Sequence, residues 1–449
     1  MRYIAVDCGA SFIKSAYFRD DEEKTEDVRT YVANDVGDKD LLDEQDARLP
    51  LQLRRTMTII RQVLLDYSDC GETLRLGISN EMHGFVVTNE DGIPITDYIS
   101  WQKEYSHELY NDDVSWGDYY EDILPKQDII HTGMPLKPGL PSTNLPYVLE
   151  QNKKLCSDIE VYFYTLGDFI IRWLSGQQTY IHSTNAAATG LYDLTLNNWN
   201  QDIIVRLGLD EVHFPVISES EGITFDWKGR TICVKPAIGD QQAALYGAQL
   251  CEKYQLSINM GTGGQVGRLA DTLSFSEKYQ IRPYFNGMYL MTVPHIPSGR
   301  ALNVYIRFIQ HIAQAFVDWP VTDERIWQWI FEEMEREKTE QELMDVDLGF
   351  FANAISKKEK GSIAEIGENA LRVGNLFQSI FHQMASNIHE CEQRIENGYS
   401  IDEILFSGGV VRKNAMLRER IQTYYPQAAV RIAVNETLIG IYRYLRSDV

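Results

Sequence analysis

Ala237-Ile238-Gly239-Asp240-Gln241-Gln242-Ala243-Ala244-Leu245-Tyr246-Gly247 is the stretch from which the rest of the chain is read. It delivers one carboxylate, followed by two amides, onto the start of an Ala-rich run with small residues at close-packing positions, which predicts a helix. Asp240 is thereby expected at a helix N-terminus. Backbone N–H groups and the helix dipole favour negative charge there, so the carboxylate is expected to stay ionised and able to accept a proton. The same local pattern also fits an ordinary Asp N-cap. The other glycine-rich turns of the chain are what separate the two readings.

Tyr3-Ile4-Ala5-Val6 predicts a strand that ends in Asp7-Cys8-Gly9-Ala10-Ser11, and Ile13 to Phe18, which includes Lys14, predicts the return strand. In the second half, Leu256 to Met260 runs into Gly261-Thr262-Gly263-Gly264, and Gln265 to Ala270 runs back. Each is an apolar strand, a turn of small residues whose N–H groups can approach phosphate oxygens, and a return strand. Further on, Ile404 to Val411 predicts a strand carrying the turn Ser407-Gly408-Gly409, with Asn414 and an amphipathic helix beyond it.

Two such loops about 250 residues apart, a lone Asp before an Ala-rich helix, and a late Gly-Gly turn resemble the FGGY carbohydrate kinases, members of the actin-like sugar kinases. The resemblance covers nearly the whole chain. It implies an α/β protein of two actin-like (ribonuclease H-like) ATPase domains, expected at 1–233 and 234–449, with a central cleft that closes over its ligands. It also implies ATP and Mg²⁺. Asp240 then matches the general base, and Asp7 and Asp240 the metal-associated carboxylates. Gly9, Ser11 and Lys14 match the first phosphate loop, Gly261, Thr262, Gly263 and Gly264 the second, and Gly408, Gly409 and Asn414 the adenosine turn.

Met82-His83-Gly84 resembles the signature of the xylulokinase and sedoheptulokinase branches, where the His contacts sugar hydroxyls. Met82, His83, Trp101, Asp240 and Gln241 are the expected acceptor contacts. Xylulokinases carry Gly-Gln before this Met, whereas this chain has Asn80-Glu81; they follow the next tryptophan with Asn-Asp, whereas Trp101 is followed by Gln102-Lys103. The missing acid and the stretch Arg282-Pro283-Tyr284-Phe285-Asn286-Gly287 tilt the expected ketose from xylulose toward sedoheptulose. A non-catalytic actin-like sensor or filament subunit is the rival from another class; it needs the phosphate loops but has no use for Asp240 beside His83.

The chain has 449 residues, 44% of them apolar, too long for a single core. Its net charge of −23 argues against nucleic-acid and membrane-surface partners and favours a neutral small-molecule substrate. Six cysteines without a Cys-x-x-Cys pair read as reduced thiols of a cytoplasmic protein, and the first residues lack the pattern of a signal peptide. A homodimer is compatible with the sequence. Helices are expected over 50–66, 163–173, 199–209, 301–317 and 363–395, with a charged helical region over 320–347.

Overall fold

The computed structural model describes residues 2–10, 12–19, 25–37, 43–67, 73–316, 321–337, 343–356, 359–395, 397–434 and 436–447. Ser11, one of the expected first-loop residues, lies outside them. The chain divides into two compact units: Met1–Gln249 with Asp271–Tyr289 and Asn435–Val449, and Leu250–Ala270 with Leu290–Val434. The division does not fall at 233/234, because residues 234–249, 271–289 and 435–449 all pack with the first unit.

In the first unit, β1 (Arg2–Cys8), β2 (Ile13–Arg19), β3 (Glu26–Tyr31), α1 (Leu51–Asp66) and β4 (Thr73–Asn80) are followed by α2 (Leu166–Ser175) and α3 (Ser183–Ala187). Then come β5 (Ile223–Trp227), β6 (Arg230–Val234), β7 (Ile238–Gly239) and α4 (Asp240–Gly247). The sheet runs β5-β6-β4-β1-β2-β3, and β7 also pairs with β4. β1 and β2 form an antiparallel hairpin, whereas β6, β1 and β7 are all parallel to β4. Strands buried on both faces read as continuous apolar runs. Tyr3-Ile4-Ala5-Val6 of β1 does so; in β4 Leu74, Leu76 and Ile78 alternate instead, and with Ile4 and Val6 they share one core with Leu53, Met57, Ile60 and Leu64 of α1.

The Glu436–Arg446 helix returns to this unit and packs on α4 through two glycines. A Cβ on Gly440 would lie 1.8 Å from the carbonyl oxygen of Ala243, and one on Gly247 would lie 1.7 Å from that of Glu436. The small residues of the 237–247 stretch are therefore required by a backbone-to-backbone approach.

The second unit contains β8 (Gln255–Met260), β9 (Gly264–Ala270), β10 (Tyr289–Ile296), α5 (Gly299–Gln314), α6 (Asp323–Arg336), α7 (Val373–Glu392), β11 (Glu403–Ser407), α8 (Gly409–Lys413), α9 (Ala415–Gln422) and β12 (Ala429–Ile432). Its strands neighbour one another in the order β10-β9-β8-β11-β12. β8 and β9 form an antiparallel hairpin, with β11 parallel to β8. That is the arrangement of β1, β2 and β4.

Four of the expected helical regions are markedly shorter, among them the charged one over 320–347, which is confined to Asp323–Arg336 while Asp345–Asp347 is a strand. Residues 161–164 form a strand, because Thr165 caps α2 and stops the apolar run from being one helix: its hydroxyl accepts from the N–H of Asp168. The helix expected over 363–395 begins at Val373, since Ser362–Ala364 pairs with Asp345–Asp347. The one expected over 199–209 is confined to Gln201–Arg206 behind the Asn200 cap.

Candidate active site

Parallel strands deliver the residues after them to one edge of a sheet, where open α/β folds hold their ligands. β1 delivers Asp7, β4 delivers Ser79 and, just beyond, Glu81, and β7 delivers Asp240. Register fixes the arrangement: Asp7 lies opposite Ser79 on one side and Lys14 on the other, and Gly239 lies opposite Asn80. The Ser79 hydroxyl donates to Asp7 Oδ1 at 2.8 Å. The N–H of Glu81 donates to the carbonyl of Cys8 at 3.1 Å, tying the turn after β4 to the end of β1. Lys14 is exposed, and the N–H of Gly9 closes the first turn onto the Phe12 carbonyl.

Asp240 is the first residue of α4, not its cap; the cap is Gly239, which has no side chain to offer. Asp240 Oδ1 accepts from the N–H of Gln241 at 2.7 Å. The expectation that the helix terminus keeps this carboxyl at an ordinary acidity is overturned. Burial, then the charge of Asp7, push Asp240 up to about 7, with Glu81 adding to the rise and Arg282 opposing it. Burial also raises Asp7, against the Ser79 hydrogen bond and Lys14. One N–H donor and a helix dipole worth about 0.3–1 kcal/mol do not offset desolvation beside a second carboxylate.

What aims Asp240 is the short helix α3. The N–H of Gly239 donates to Thr184 Oγ1 at 3.0 Å. Asn185 Nδ2 donates to the Ala237 carbonyl at 2.8 Å and to Asn80 Oδ1 at 3.0 Å. Three elements thus lock the approach to the carboxylate, and Asn185 performs this without an acid's charge.

The turn after β4 carries the expected acceptor residues Met82 and His83, and Met82 lies against Gly239, where a Cβ would come within 3.6 Å of it. His83 adopts φ +70°, a conformation rare outside glycine and often found at binding sites. Its Nδ1 lies 2.6 Å from the Ala188 carbonyl, so that nitrogen carries the proton and Nε2 is the acceptor. Glu81 is buried and accepts from Tyr98 Oη at 2.7 Å and from Trp101 Nε1 at 3.0 Å. Desolvation raises its pKa against both bonds. Gly84 leaves room for this group: a Cβ there would lie 1.7 Å from Tyr98 Oη. Trp101, held by its indole N–H, is 44% exposed and so presents a ring edge to ligand or solvent.

Arg282 opens the 282–287 stretch, but its contacts with Met82 and Gln241 are not signalled by the sequence. It is 4% exposed and donates to Gln241 Oε1 at 3.1 Å, to Met82 Sδ at 3.3 Å and to Gln280 Oε1 at 2.6 Å. Tyr98, Ser79 and Thr184 were absent from the expected set. Nothing local distinguishes them, since strand pairing and long-range hydrogen bonds bring them in.

The second unit repeats the strand-end plan with different chemistry. The Gly261 N–H donates to the Gly263 carbonyl, and the Gly261 carbonyl accepts from the Ser298 hydroxyl and the Gly299 N–H. Gly408 has φ +87°, and a Cβ on it would lie 2.5 Å from the Met260 carbonyl and 2.9 Å from the Gly261 nitrogen. The 261–264 loop and the 408–409 turn therefore touch. Gly261, Gly263 and Gly409 would each carry a Cβ into open space, so their backbone is approachable. Asn414 is 7% exposed, with Nδ2 bonded to the Val410 carbonyl and Oδ1 buried without a partner.

Residues 2–247 match the N-terminal domain model of the FGGY family of carbohydrate kinases. A glycerol kinase of Mycoplasma capricolum is 29% identical over 201 residues, 42% of this chain and 38% of that protein's length. The matched region thus spans well under half of that relative. The fold is shared with a xylulose kinase from Lactobacillus acidophilus, at TM-score 0.79 and 15% identity over 99% of this chain and 89% of that one. It is also shared with a gluconate kinase from the same organism, at TM-score 0.78 and 16% identity, covering 99% and 88%. The architecture is therefore α/β with actin-like ATPase units, as the glycine turns imply. Among the described residues, no helix is long and apolar enough to cross a membrane.

Proposed function

This chain belongs to the FGGY family of carbohydrate kinases, and from that premise we propose that it phosphorylates a terminal hydroxyl of a free sugar or polyol with ATP. The observation that carries the reading is Asp240, a carboxylate poised near neutrality at a strand end, beside His83 and Met82. In the proposed reaction the acceptor hydroxyl gives its proton to Asp240 as its oxygen forms a bond to the γ-phosphorus. The bond from that phosphorus to the bridging oxygen breaks, and ADP leaves with the electron pair. Because such transition states are loose, positioning and charge neutralisation supply most of the acceleration.

The residues fit the absent groups. Asp7 and Asp240 are two carboxylates whose proton affinities are both raised, Asp7 by burial and Asp240 by burial and the charge of Asp7, a pair a divalent cation relieves. Mg²⁺ takes one or two carboxylates and fills its other positions with water and phosphate, so the lack of a cluster of three or more ligands among the described residues suits it. Bound there, it would neutralise phosphate charge. Gly261 to Gly264 and Gly408-Gly409 would hold the nucleotide through bare backbone, and the unpartnered Asn414 Oδ1 is an acceptor suited to an adenosine donor.

For the carbon skeleton, Met82-His83-Gly84 and the residues after Trp101 favour sedoheptulose over xylulose. His83 Nε2 and Gln241 would take the acceptor's hydroxyls, with Trp101 against its C–H face. The decisive measurement is ADP release with Mg·ATP across ketoses, alditols and sugar acids. Acceptor-dependent release supports the kinase reading; nucleotide binding with no acceptor-dependent release returns the chain to a sensor or filament role.

A further inference from the structure

Arg282 is enclosed, yet every hydrogen bond it makes is to a neutral acceptor, and its Nε is buried with no partner. Lys137 is close by. Its loop begins at Gly133, whose carbonyl accepts from the N–H of Ile281 at 2.8 Å, the residue before Arg282. The loop ends at Gly139, where a Cβ would lie 2.3 Å from the Trp101 carbonyl. Residues 133–139 therefore bridge the Arg282 segment, which bonds Met82, and Trp101, which bonds Glu81, the residue before Met82. Lys137 makes no ion pair among the described residues. Burial and the Arg282 charge pull it down to about 8, and no acid offsets them. Glu81 instead receives Tyr98 and Trp101 on its two oxygens.

Arg282 is buried with only the charge of Asp240 to offset it, and Lys137, half-buried beside it, has no carboxylate at all among the described residues; neighbouring cations so placed are costly unless a ligand brings further counter-charge. Arg282 bonds Gln241, the residue after Asp240, at 3.1 Å, and the 133–139 loop that carries Lys137 is tied to Ile281, the residue before Arg282. The order Asp240, Arg282, Lys137 thus runs from the proton acceptor outward. We infer that the acceptor is a sugar acid, an open-chain polyhydroxy carboxylate whose carboxylate lies on Lys137 and Arg282 while its far hydroxyl meets Asp240. This rests on the kinase reading above, and it replaces both sedoheptulose and the neutral substrate that the net charge of −23 suggests. A local pair of enclosed cations outweighs a screened global field.

The test compares kcat/KM for matched pairs that differ only in the acid group: D-gluconate against D-glucitol, and D-xylonate against xylitol. At least one acid should exceed its alditol by about 10-fold or more, the scale of a charge-assisted contact. Lys137→Met should cut that ratio by about 10-fold, and Lys137→Arg should keep most of it. Ketoses or alditols phosphorylated with acids no better would overturn the inference and leave the kinase standing. If no acceptor is phosphorylated, the kinase reading fails, and calorimetric titration of D-gluconate into the wild-type protein and Lys137→Met still decides the cation pair: no heat with wild type, or equal affinity for both, overturns it.

Discussion

Asp240 has a role fixed by its surroundings more than by its helix. Asp240→Asn preserves size but cannot accept a proton, so acceptor phosphorylation should fall by at least about 10²-fold while nucleotide affinity is retained. Turnover near the wild-type rate would remove Asp240 from the reaction. Its raised proton affinity has a separable cause, since the charge of Asp7 contributes to it. In the metal-free enzyme the Asp240 carboxyl should titrate at about 7, and in Asp7→Asn the midpoint should move down. The carboxylate, present above the midpoint, is the form that accepts a proton, so the competent form is lost as pH falls through it. A midpoint in Asp7→Asn no lower than wild type, followed by carbon NMR of labelled aspartate, would show that desolvation alone sets it.

At the scale of elements, two glycines that look alike in sequence should behave oppositely. Gly440 lies against the Ala243 carbonyl, so Gly440→Val must push the Glu436–Arg446 helix off α4 and should cost about 3 kcal/mol in denaturant unfolding. Gly409 faces open space. Gly409→Leu should leave stability within about 0.5 kcal/mol while weakening ATP binding roughly tenfold, a step of about 1.4 kcal/mol. Loss of stability in Gly409→Leu would make the turn a structural one. The α3 helix teaches the same lesson from the other side. Thr184 and Asn185 hold the residues before Asp240 through bonds to Gly239 and Ala237, although neither stands in a glycine turn.

For the whole molecule, the first unit is closed by a segment that arrives nearly two hundred residues after α4. Ile441 and Tyr442 have no exposure, and Leu438, Tyr444 and Leu445 no more than 2%. Burying such side chains is worth about 1.5–3 kcal/mol each, so five of them rival the whole stability of a domain, about 5–15 kcal/mol. A chain ending at residue 434 should therefore lose the cooperative unfolding transition of the first unit, read by differential scanning calorimetry. An unchanged transition would mean that β1 and β4 need no cover from this helix.

The amino-acid sequence by itself determined what is local and repeated. Apolar runs ending in small-residue turns announced β1-β2 and β8-β9, Gly408-Gly409 announced the turn after β11, and the Ala-rich run announced α4. Backbone freedom and hydrophobic periodicity act over a few residues, so a few residues suffice to show them. The family follows from the order of those turns. Three things were decided only by tertiary structure. The boundary between units depends on a helix that returns late in the chain, and the acidity of Asp240 on burial and on Asp7, more than two hundred residues away. Arg282 depends likewise on long-range packing that sets it against Met82 and Gln241. Desolvation and through-space charge have no signature in adjacent residues, which is why the carboxylate expected to be an ordinary ionised aspartate turned out to be poised near neutrality.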